Sequence, residues 1–357
     1  MKDIAKNVKE CKLGIATFIN SLNFGAILQA YALGCYLRSL GYAIHYIDSD
    51  KEHVSIPPKS LAKKIFYYFV AKKRIRKKND LFDNFKRDCF SIIRNPELLD
   101  VVVCGSDQVW NTDITDGFNP FFWGDCGKFN IAYAVSSGDS DIIEAQIDTV
   151  RKKIRNFVGI SFRESDLSNV FYSHFGMICP TVCDPTFLLQ KEDYCGIEEK
   201  ECKATKPYLL IYQMNRDSSL YEIAHKIAKQ KKLDVIEINN NLYDYKIHCH
   251  KCFYSCSVGK FLSLIHYSSY VITNSFHGTV FAIIYRKNFF TVKSKKRNSR
   301  IINLCHALNL DDRVLESRGK ICLDDYESID YEMVGKKINK FVVDSKNFLT
   351  QALGEIF

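Results

Sequence analysis

The sequence predicts an α/β protein built from two doubly wound, Rossmann-like domains that face each other across a cleft. Two observations predict this class. In both halves of the chain, short apolar runs rich in β-branched residues alternate with longer segments of helical apolar spacing, which is typical of βα units around a buried parallel sheet. The 357 residues, 46% of them hydrophobic, are enough to fill two ordinary cores.

A polar stretch rich in Glu and Lys marks the predicted domain boundary. It covers 191–207 and closes with a proline, so we interpret it as a linker. It separates an N-terminal domain at 1–190 from a C-terminal domain at 208–330. The remaining segment, 331–357, has a long helical pattern, and we expect it to pack back on the N-terminal domain.

The first βα unit begins the N-terminal domain. A strand is predicted at 13–18 and a helix at 26–40, which Gly41 ends. Between them, Asn23 and Gly25 lie in a turn at the carboxyl end of the strand, where the backbone can approach a ligand closely. Because the turn lacks the other glycines of the dinucleotide-binding fingerprint, the sequence predicts no nicotinamide cofactor.

A basic amphipathic helix is predicted at 59–78 and is assigned to the N-terminal domain. Lysines and arginines flank an apolar run at 65–70. Such a helix either lies on an anionic membrane surface, which would suit an enzyme with a lipid-linked acceptor, or covers one face of the domain and faces water. The second alternative is favoured, because charged helix faces are usually solvated.

A buried strand predicted at 100–104 ends in a polar turn. Asp107, Gln108 and Asn111 gather in this turn, at the carboxyl end of the strand. Ligands of open parallel sheets bind at that edge. These three side chains are therefore candidates for contacts to a substrate.

Arg163 follows the strand predicted at 158–162, after a helix predicted at 141–157. At a strand end, its guanidinium can hold a phosphate or a carboxylate with two parallel hydrogen bonds. An ion pair with Glu164 or Asp166 is an equally good interpretation, since surface ion pairs are common. Both interpretations stay open at the level of the sequence.

The C-terminal domain repeats the alternation of strands and helices. Its strands are predicted at 208–213, 233–239, 270–273 and 288–292, and its helices at 219–230, 259–266 and 279–285. The remaining strands of the N-terminal domain are predicted at 43–47 and 131–136. Two sheets of similar construction follow from these patterns.

The chain is organised around the turn between the strand at 270–273 and the helix at 279–285. Ser275, His277 and Gly278 lie in this turn, and core packing does not explain them. A helix amino terminus at a sheet edge offers backbone amides and the positive end of the helix dipole to an anion. His277 is predicted to stand exposed beside this site and to titrate near neutral pH, with helix capping as the alternative.

Composition and charge narrow the possible partners. The net charge of +9 favours anionic partners such as phosphate, carboxylate, acidic polymers or membrane surfaces. Nucleic acid is not predicted, because the sequence has no zinc finger, helix-turn-helix or RNA-binding aromatic motif. No secretory signal is evident and the longest apolar run is far shorter than a membrane span, so we expect a cytoplasmic protein, at most bound at the inner face of the membrane.

The fourteen cysteines are expected to be reduced, because many of them sit inside apolar strand or helix patterns. The run at 248–256 crowds histidines and cysteines as a metal site would. It lacks a second, distant Cys-x-x-Cys pair to complete a tetrahedral site. The sequence therefore predicts no metal centre.

Five ordered motifs span most of the chain. They are Ser-Leu-Asn-Phe-Gly-Ala at 21–26, Gly-Ser-Asp-Gln-Val-Trp-Asn at 105–111, Ser-Phe-Arg-Glu-Ser at 161–165, Asp-Pro-Thr at 184–186 and Thr-Asn-Ser-Phe-His-Gly-Thr at 273–279. Together with Asn-Ser-Arg-Ile at 298–301, this series resembles the motifs of the polysaccharide pyruvyl transferase family. Five motifs in order are far more specific than any one of them.

The resemblance implies a fold similar to the two-domain GT-B glycosyltransferases. It also implies that pyruvate is transferred from phosphoenolpyruvate to two hydroxyls of a sugar in a bacterial-type surface polysaccharide, such as a capsule or exopolysaccharide, or its precursor. The products are a cyclic ketal and inorganic phosphate. Phosphoenolpyruvate is then the donor substrate, the acceptor is a sugar or lipid-linked oligosaccharide, and no cofactor is expected.

Such a reaction needs an acid, a base and fixed positive charge. We expect His277 to be the general acid or phosphate partner, as the His-Gly motif of the family supports, and Asp107 to be the base for the acceptor hydroxyl, with sugar binding or turn capping as alternatives. The candidate ligands of phosphoenolpyruvate are Arg163, Arg300, Ser275 and the amides of Gly278 and Thr279. The candidate ligands of the acceptor are Asn23, Gly25, Gln108 and Asn111.

Two other functions remain open. The same two-domain fold can carry a glycosyltransferase that uses a nucleotide sugar, since a fold does not determine a function. Alternatively, the protein is a non-catalytic binder of acidic glycans or membrane surfaces that uses the basic segment at 59–78.

Overall fold

A computed structural model describes residues 11–48, 70–200, 206–214, 216–241, 249–293, 299–316, 326 and 328–356. The described chain forms two compact units. The first unit contains the described residues up to 48, those from 87 to 189 and those from 336 onward. The second unit contains residues 70–86 and the described residues from 190 to 335.

The first unit is built on a six-stranded parallel sheet. Its strands are β1 (Lys12–Ala16), β2 (Ala43–Ile47), β3 (Ile92–Ile93), β4 (Val101–Cys104), β5 (Phe129–Val135) and β6 (Phe157–Phe162), in the spatial order β3-β2-β1-β4-β5-β6. All neighbouring strands run parallel. All four residues of β4 are buried, as expected for a central strand that is covered on both faces.

The second unit repeats this sheet. Its strands are β7 (Tyr208–Gln213), β8 (Asp234–Asn239), β9 (Lys251–Phe253), β10 (Tyr270–Thr273), β11 (Asn288–Val292) and β12 (Val314–Leu315), in the spatial order β12-β11-β10-β7-β8-β9. Counted within each unit, both sheets have the strand order 3-2-1-4-5-6, which is the doubly wound Rossmann order. The predicted fold class, with two Rossmann-like domains, is confirmed. That the two domains face each other across a cleft stays a prediction.

Helices connect the strands of both units. They are α1 (Phe24–Ser39), α2 (Lys72–Cys89), α3 (Asp141–Glu144), α4 (Ile147–Lys153), α5 (Ser165–Phe175), α6 (Lys191–Cys195), α7 (Ser218–Lys231), α8 (Val258–His266), α9 (Phe276–Ile284), α10 (Ser299–Ala307) and α11 (Tyr331–Gly354). Short 3-10 helices lie at Pro96–Leu98, Ile154–Asn156, Pro185–Leu188 and Asp311–Arg313. None of the helices in the described ranges is both long enough and apolar enough to cross a membrane.

Each unit has its own apolar core. In the first unit, Trp110 stacks on Trp123 with ring centroids 4.4 Å apart and is also in contact with Phe162 and Phe171. In the second unit, buried side chains of β7, β8, β10 and β11 pack against α7. Trp110 follows β4 in the loop that contains Asp107, but its side chain is fully buried and belongs to the core.

The last part of α11 packs on the first unit. The Ser345 hydroxyl accepts a hydrogen bond of 2.8 Å from the Cys183 amide and donates one of 2.7 Å to the Phe341 carbonyl. Gly159 on β6 lets the helix come close, since a Cβ there would lie 3.2 Å from the Cβ of Ala352. Residues from 336 onward therefore cluster with the first unit, while Tyr331 remains in the second.

The polar stretch predicted as a linker is structured in its described part. Its first residues form α6, which begins with a capping box between Gln190 and Asp193. Tyr194 is fully buried and contacts the Phe281 ring edge-on at 5.3 Å. The described residues 191–200 thus belong to the second unit, whereas 201–205 lie outside the described residues.

The basic segment differs from the prediction in place and extent. The helix α2 begins at Lys72, and its residues up to 86 belong to the second unit, not to the N-terminal domain; positions 59–69 lie outside the described residues. The Arg74 guanidinium lies 3.5 Å from the centre of the Tyr254 ring, and the Arg74 carbonyl accepts a hydrogen bond from Ser255. These contacts anchor α2 on the second unit.

The helix predicted at 141–157 is broken into α3, α4 and a 3-10 turn. Gln146 interrupts it with a φ of −131° and a ψ of 28°. Its side-chain amide donates a hydrogen bond of 2.7 Å to Thr112, which competes with a continuous helix.

Candidate active site

A buried polar network fixes the turn after β4 in the first unit. The Ser106 amide donates to Gln29 Oε1 at 3.2 Å, Gln29 Nε2 donates to Thr17 Oγ1 at 2.8 Å, and the Thr17 hydroxyl donates to the Ser106 carbonyl at 3.0 Å. All three residues are buried. The network ties helix α1 to the carboxyl ends of β1 and β4, so the position of the turn is determined by packing.

Arg163 lies at the centre of a buried cluster of charges. Its guanidinium contacts Asp184 at 2.8 Å, Glu164 at 3.4 Å and Asp107 at 3.5 Å, and its side chain is only 3% exposed. Burial alone would lower the pKa of this guanidinium, but the charges of Glu164, Asp184 and Asp107 outweigh it and raise the pKa above its ordinary value. Of the two interpretations left open by the sequence, the ion pair with Glu164 is observed.

This cluster does not suit the predicted role of Arg163 in donor binding. One positive charge already faces three carboxylates, so a further phosphate or carboxylate would be repelled. Arg163 instead holds three carboxylates together at the ends of β4 and β6 and in the loop before Pro185–Leu188. The sequence pointed to Asp184 only through its motif and to Glu164 only as an ion-pair partner.

Asp107 is the most accessible acid of this cluster. Its side chain is 14% exposed, against 6% for Glu164 and 0% for Asp184. Its carboxylate accepts a hydrogen bond of 2.9 Å from the Gln108 amide, and its φ is 71°. Within the described chain, Oε2 of the nearby Glu164 is buried and has no hydrogen-bond partner. This edge therefore offers carboxylate oxygens that can accept hydrogen bonds from hydroxyl groups.

One of the two amides predicted beside Asp107, that of Asn111, serves the loop itself. The Asn111 side chain donates to the Ser137 carbonyl at 2.7 Å and accepts from the Asp113 amide at 3.1 Å, and it is fully buried. Gln108 is buried against Gly138, where a Cβ would lie 2.8 Å from its Cδ atom. Because its amide is used by these contacts, Asn111 has a structural role and is no longer a candidate for binding the acceptor.

In the turn before α1, the predicted ligand-binding groups also form hydrogen bonds within the turn itself. Asn23 is the N-cap of the helix, and its Oδ1 accepts a hydrogen bond of 2.8 Å from the Gly25 amide. The Gly25 amide is thus already used, contrary to its predicted contact with a ligand. Asn23 remains half-buried at the carboxyl edge of the first sheet, with its side-chain nitrogen as a further donor.

The turn after β10 in the second unit is capped by Ser275. Its hydroxyl accepts a hydrogen bond of 3.3 Å from the Gly278 amide, and its carbonyl accepts one of 3.0 Å from the Thr279 amide. The predicted use of these two amides for anion binding is therefore wrong, since both are spent inside α9. The positive end of the helix dipole remains at this sheet edge, at the level of Phe276 and His277.

Gly278 lets α9 approach the sheet. A Cβ at this position would collide with Thr273 Oγ1 and lie 2.9 Å from Tyr212 Cδ1. The Thr273 hydroxyl on β10 donates a hydrogen bond of 2.6 Å to the Tyr212 carbonyl on β7. It also accepts one of 3.0 Å from the Ser275 amide, and so it joins the two strands to the start of α9. The glycine of the His-Gly pair is thus required for packing, and it positions His277.

His277 and Arg300 lie at this edge, and both are close to the ring of Phe276. The ring centroids of Phe276 and His277 are 5.1 Å apart, and the Arg300 guanidinium lies 5.6 Å from the centre of the Phe276 ring. The predicted exposure of His277 is wrong: the residue is 5% exposed. The structure does bring His277, Ser275 and Arg300 together, although Arg300 is distant in sequence.

A second cation at this edge was missed from the sequence. Lys78 of α2 is buried, and its ammonium group donates to Asn240 Oδ1 at 3.2 Å. Asn240 in turn donates to the Gln213 carbonyl at the end of β7. Burial lowers the pKa of Lys78 to about 8. Its place in a basic run suggested a solvated face, and only the fold shows that it turns inward.

Solved structures of several proteins resemble this chain over nearly its whole length. The UDP-GlcNAc 2-epimerase of Methanocaldococcus jannaschii, in complex with UDP-GlcNAc and UDP, is 11% identical with a TM-score of 0.46, covering 93% of this chain and 92% of that chain. The UDP-GlcNAc 2-epimerase of Neisseria meningitidis, bound to UDP-GlcNAc, is 9% identical with a TM-score of 0.47 and coverages of 96% and 93%. The glycosyltransferase SnogD of Streptomyces nogalater is 12% identical with a TM-score of 0.39 and coverages of 96% and 99%. The fold class rests on the two sheets, because these likenesses are too weak to support an argument.

The sequence itself gives a clearer assignment. A comparison with curated proteins finds no match. The profile of a family described as polysaccharide pyruvyl transferase, however, matches residues 23–295, which is well over half of the chain. The match includes the Arg163 cluster and the turn with His277. The chain therefore belongs to the polysaccharide pyruvyl transferase family.

Proposed function

We propose that the protein transfers pyruvate from phosphoenolpyruvate to two hydroxyls of one sugar in a bacterial-type surface polysaccharide or its precursor. The products are a pyruvate ketal and inorganic phosphate. The observation that carries the proposal is the second edge, the carboxyl edge of the β7–β12 sheet. There His277 lies in the first turn of α9, Arg300 lies beside the ring of Phe276, and Lys78 contacts Asn240 after β8, in a chain of the pyruvyl transferase family.

The second edge suits a donor with two anionic groups. Phosphoenolpyruvate carries a phosphate and a carboxylate, and we assign Arg300 and Lys78 as their counter-charges. The amino terminus of α9 adds its dipole at Phe276 and His277. Ser275 caps this helix and keeps its first turn in place.

The chemistry at this edge requires a proton donor. The methylene carbon of the enol phosphate must be protonated to a methyl group while the first sugar hydroxyl attacks the adjacent carbon. The bond to the phosphate oxygen then breaks, and the second hydroxyl closes the ring. The two sugar hydroxyls lose two protons in total. One of them replaces the proton that was added to the methylene carbon, and the other leaves with phosphate. His277 is the proposed general acid, since an imidazolium can supply the proton near neutral pH.

The first edge, the carboxyl edge of the β1–β6 sheet, suits the acceptor. Asp107 and Glu164 are carboxylates at the strand ends, and Arg163 fixes both of them. Asp107 is the proposed base for the first hydroxyl because it is the most accessible of the three acids. Asn23 and Gln108 are proposed to bind sugar hydroxyls through their side-chain amides.

The test is release of phosphate from phosphoenolpyruvate in the presence of candidate glycans. We expect release that depends on the acceptor, together with a product heavier by one ketal group. Exchanging His277→Ala should lower the rate by about 10²–10⁴-fold, because a positioned acid contributes that much. The matched control is His225→Ala, which removes an exposed histidine of α7 and should leave the rate unchanged.

Two outcomes would contradict the proposal. If the protein releases nucleotide from a sugar nucleotide and no phosphate with any acceptor, it is a glycosyltransferase. If the protein binds acidic glycans without turnover, and His277→Ala behaves like the wild type, it is a non-catalytic binder.

A further inference from the structure

Three potential metal ligands meet in the second unit, on and beside the neighbouring strands β8 and β9. They are Glu237 on β8, Cys249 just before β9 and Cys252 within β9. Their ligand atoms all lie within 4.8 Å of one another. The described cysteines, including these two, carry free thiols.

The register of strands β8 and β9 brings Glu237 and Cys252 close together. Strands β8 and β9 are parallel, and Glu237 pairs directly with Cys252. Directly paired residues of neighbouring strands point to the same face of a sheet, so the carboxylate and the thiol are side by side. Cys249 comes from the turn that leads into β9 and adds the second thiol of a Cys-x-x-Cys pair.

The distances match a tetrahedral site. Oε2 of Glu237 lies 3.8 Å from Sγ of Cys249 and 4.0 Å from Sγ of Cys252. Zinc bonds of about 2.3 Å to sulfur and about 2.1 Å to oxygen, at the tetrahedral angle, place the two ligand atoms about 3.6 Å apart. The two oxygen–sulfur distances are thus within a few tenths of an ångström of those in a zinc site, and the two sulfurs lie within 4.8 Å of each other.

The surroundings of Glu237 orient its carboxylate toward the thiols. The residue is fully buried, and its Oε1 accepts hydrogen bonds of 2.6 Å from the Tyr221 hydroxyl and 3.0 Å from Gln213 Nε2. Oε2 faces the two sulfurs. Among the described residues no Lys, Arg or His forms an ion pair with Glu237. Outer hydrogen bonds that fix one oxygen and leave the other for the ion are typical of metal-ligating carboxylates.

We propose that Glu237, Cys249 and Cys252 bind a divalent cation of the zinc class, with water as the fourth ligand. Two thiolates and a carboxylate prefer such a soft or borderline ion over magnesium or calcium. The ion would tie the start of the three-residue edge strand β9 to the buried strand β8. The sequence indicated the crowded cysteines of this site but not its third ligand, because that ligand is a carboxylate from a neighbouring strand and not a second cysteine pair.

A second cluster in the same unit is a weaker candidate. Cys195, Glu198 and His266 also lie close together. Both carboxylate oxygens of Glu198 are already bonded, one to the Tyr285 hydroxyl at 2.6 Å and the other to His266 Nδ1 at 2.8 Å. Cys195 is exposed and donates to the Lys191 carbonyl. This cluster therefore supplies the control for the first.

The test is titration of the reduced, chelator-treated full-length protein with Co²⁺ alone, followed by displacement with Zn²⁺. We expect one equivalent of cobalt with the intense visible bands of tetrahedral coordination and a thiolate-to-cobalt charge-transfer band. Cys249→Ser and Cys252→Ser should each abolish or shift that band. Glu237→Gln keeps both thiols and an acceptor for Tyr221, and it should weaken cobalt binding at least about tenfold. Cys195→Ser should bind cobalt like the wild type.

Several results would overturn the proposal. One is the absence of a thiolate-to-cobalt band in the folded wild type. This includes a protein that is isolated with a Cys249–Cys252 disulfide and binds no metal after that disulfide is reduced. Another is equal cobalt affinity in Glu237→Gln and the wild type. A third is loss of binding only in Cys195→Ser. Circular dichroism of each variant checks that it is folded, and the isosteric Glu237→Gln decides the question if a serine variant unfolds.

Discussion

The two sheets of this protein have the same strand order, but their carboxyl edges carry opposite charges. The first edge collects the acids Asp107, Glu164 and Asp184 around one buried arginine. The second edge has Lys78 at the end of β8, and Arg300 and His277 beside Phe276 at the amino terminus of α9. One topology thus presents hydrogen-bond acceptors in one unit and positive charge in the other.

Under the proposed function, this difference assigns the acceptor to the first edge and the donor to the second. A neutral sugar is recognised by groups that accept hydrogen bonds from its hydroxyls, whereas a doubly anionic donor needs cations and dipoles. The same strand ends position both sets, because ligands of such sheets bind beyond the carboxyl ends of the strands. The following predictions test whether the two edges differ in role as well as in charge.

The largest effect on stability is expected at the centre of the first edge. Arg163→Met leaves the buried carboxylates of Glu164 and Asp184 and the half-buried one of Asp107 without their cation, and it should lower the free energy of unfolding by about 3–5 kcal/mol. Chemical denaturation measures this loss. Arg151→Met is the matched control, since Arg151 is exposed beside Phe175, and it should cost less than about 1 kcal/mol. Equal losses in both variants would show that the Arg163 cluster does not hold the first edge together.

A smaller effect is expected where the second edge is packed. In Gly278→Ala the new methyl group meets Thr273 and Tyr212, and we expect a loss of about 1–3 kcal/mol with a lower rate of phosphate release. Gly335→Ala on α11 has open space around its Cβ and should gain about 0.5–1 kcal/mol. Thermal unfolding of the two variants measures both. A stabilised Gly278→Ala would contradict the close approach of helix and strand.

The smallest stability effect is expected at Lys78, and it depends on pH. The pKa of Lys78 is about 8 in the folded protein, below its unfolded value of about 10.4. Between these values the unfolded chain binds more protons, so the unfolding free energy should rise with pH in this window. Lys78→Met should lack this rise, gain about 1 kcal/mol at pH 7 and bind phosphoenolpyruvate more weakly.

The control for Lys78 is its exposed neighbour. Lys77→Met on the same helix should change neither the pH dependence nor the affinity for the donor. An unchanged pH dependence in Lys78→Met would mean that Lys78 is not the group that titrates in this window.

The sequence predicted the architecture well, because period and burial are local properties. The buried run at 101–104, the helix that begins after Asn23 and the strand before His277 all lie where the apolar patterns place them. The sequence predicted burial less well where contacts between segments distant in the chain determine it. Lys78 was predicted on a solvated helix face but is buried, and its hydrogen-bond partner Asn240 lies far along the chain.

The site shows the same division between local and distant effects. The motifs identified the correct strand ends, since Asp107, Arg163 and His277 all lie at carboxyl edges. Their partners did not follow from the motifs: Asp184 neutralises Arg163, and Ser275 takes up the Gly278 amide. Hydrogen-bond satisfaction is a property of the folded structure, so candidate donors such as the Gly25 amide were assigned to ligands although the chain uses them itself.

The most direct test of the division between the two edges is calorimetric titration of phosphoenolpyruvate into the protein without any acceptor. Compared with the wild type, Arg300→Gln should weaken donor binding at least about tenfold, because it removes a charge-assisted contact of about 1.5–3 kcal/mol. Asp107→Asn should leave the donor affinity unchanged. Unchanged affinity in Arg300→Gln together with weakened binding in Asp107→Asn would contradict the account.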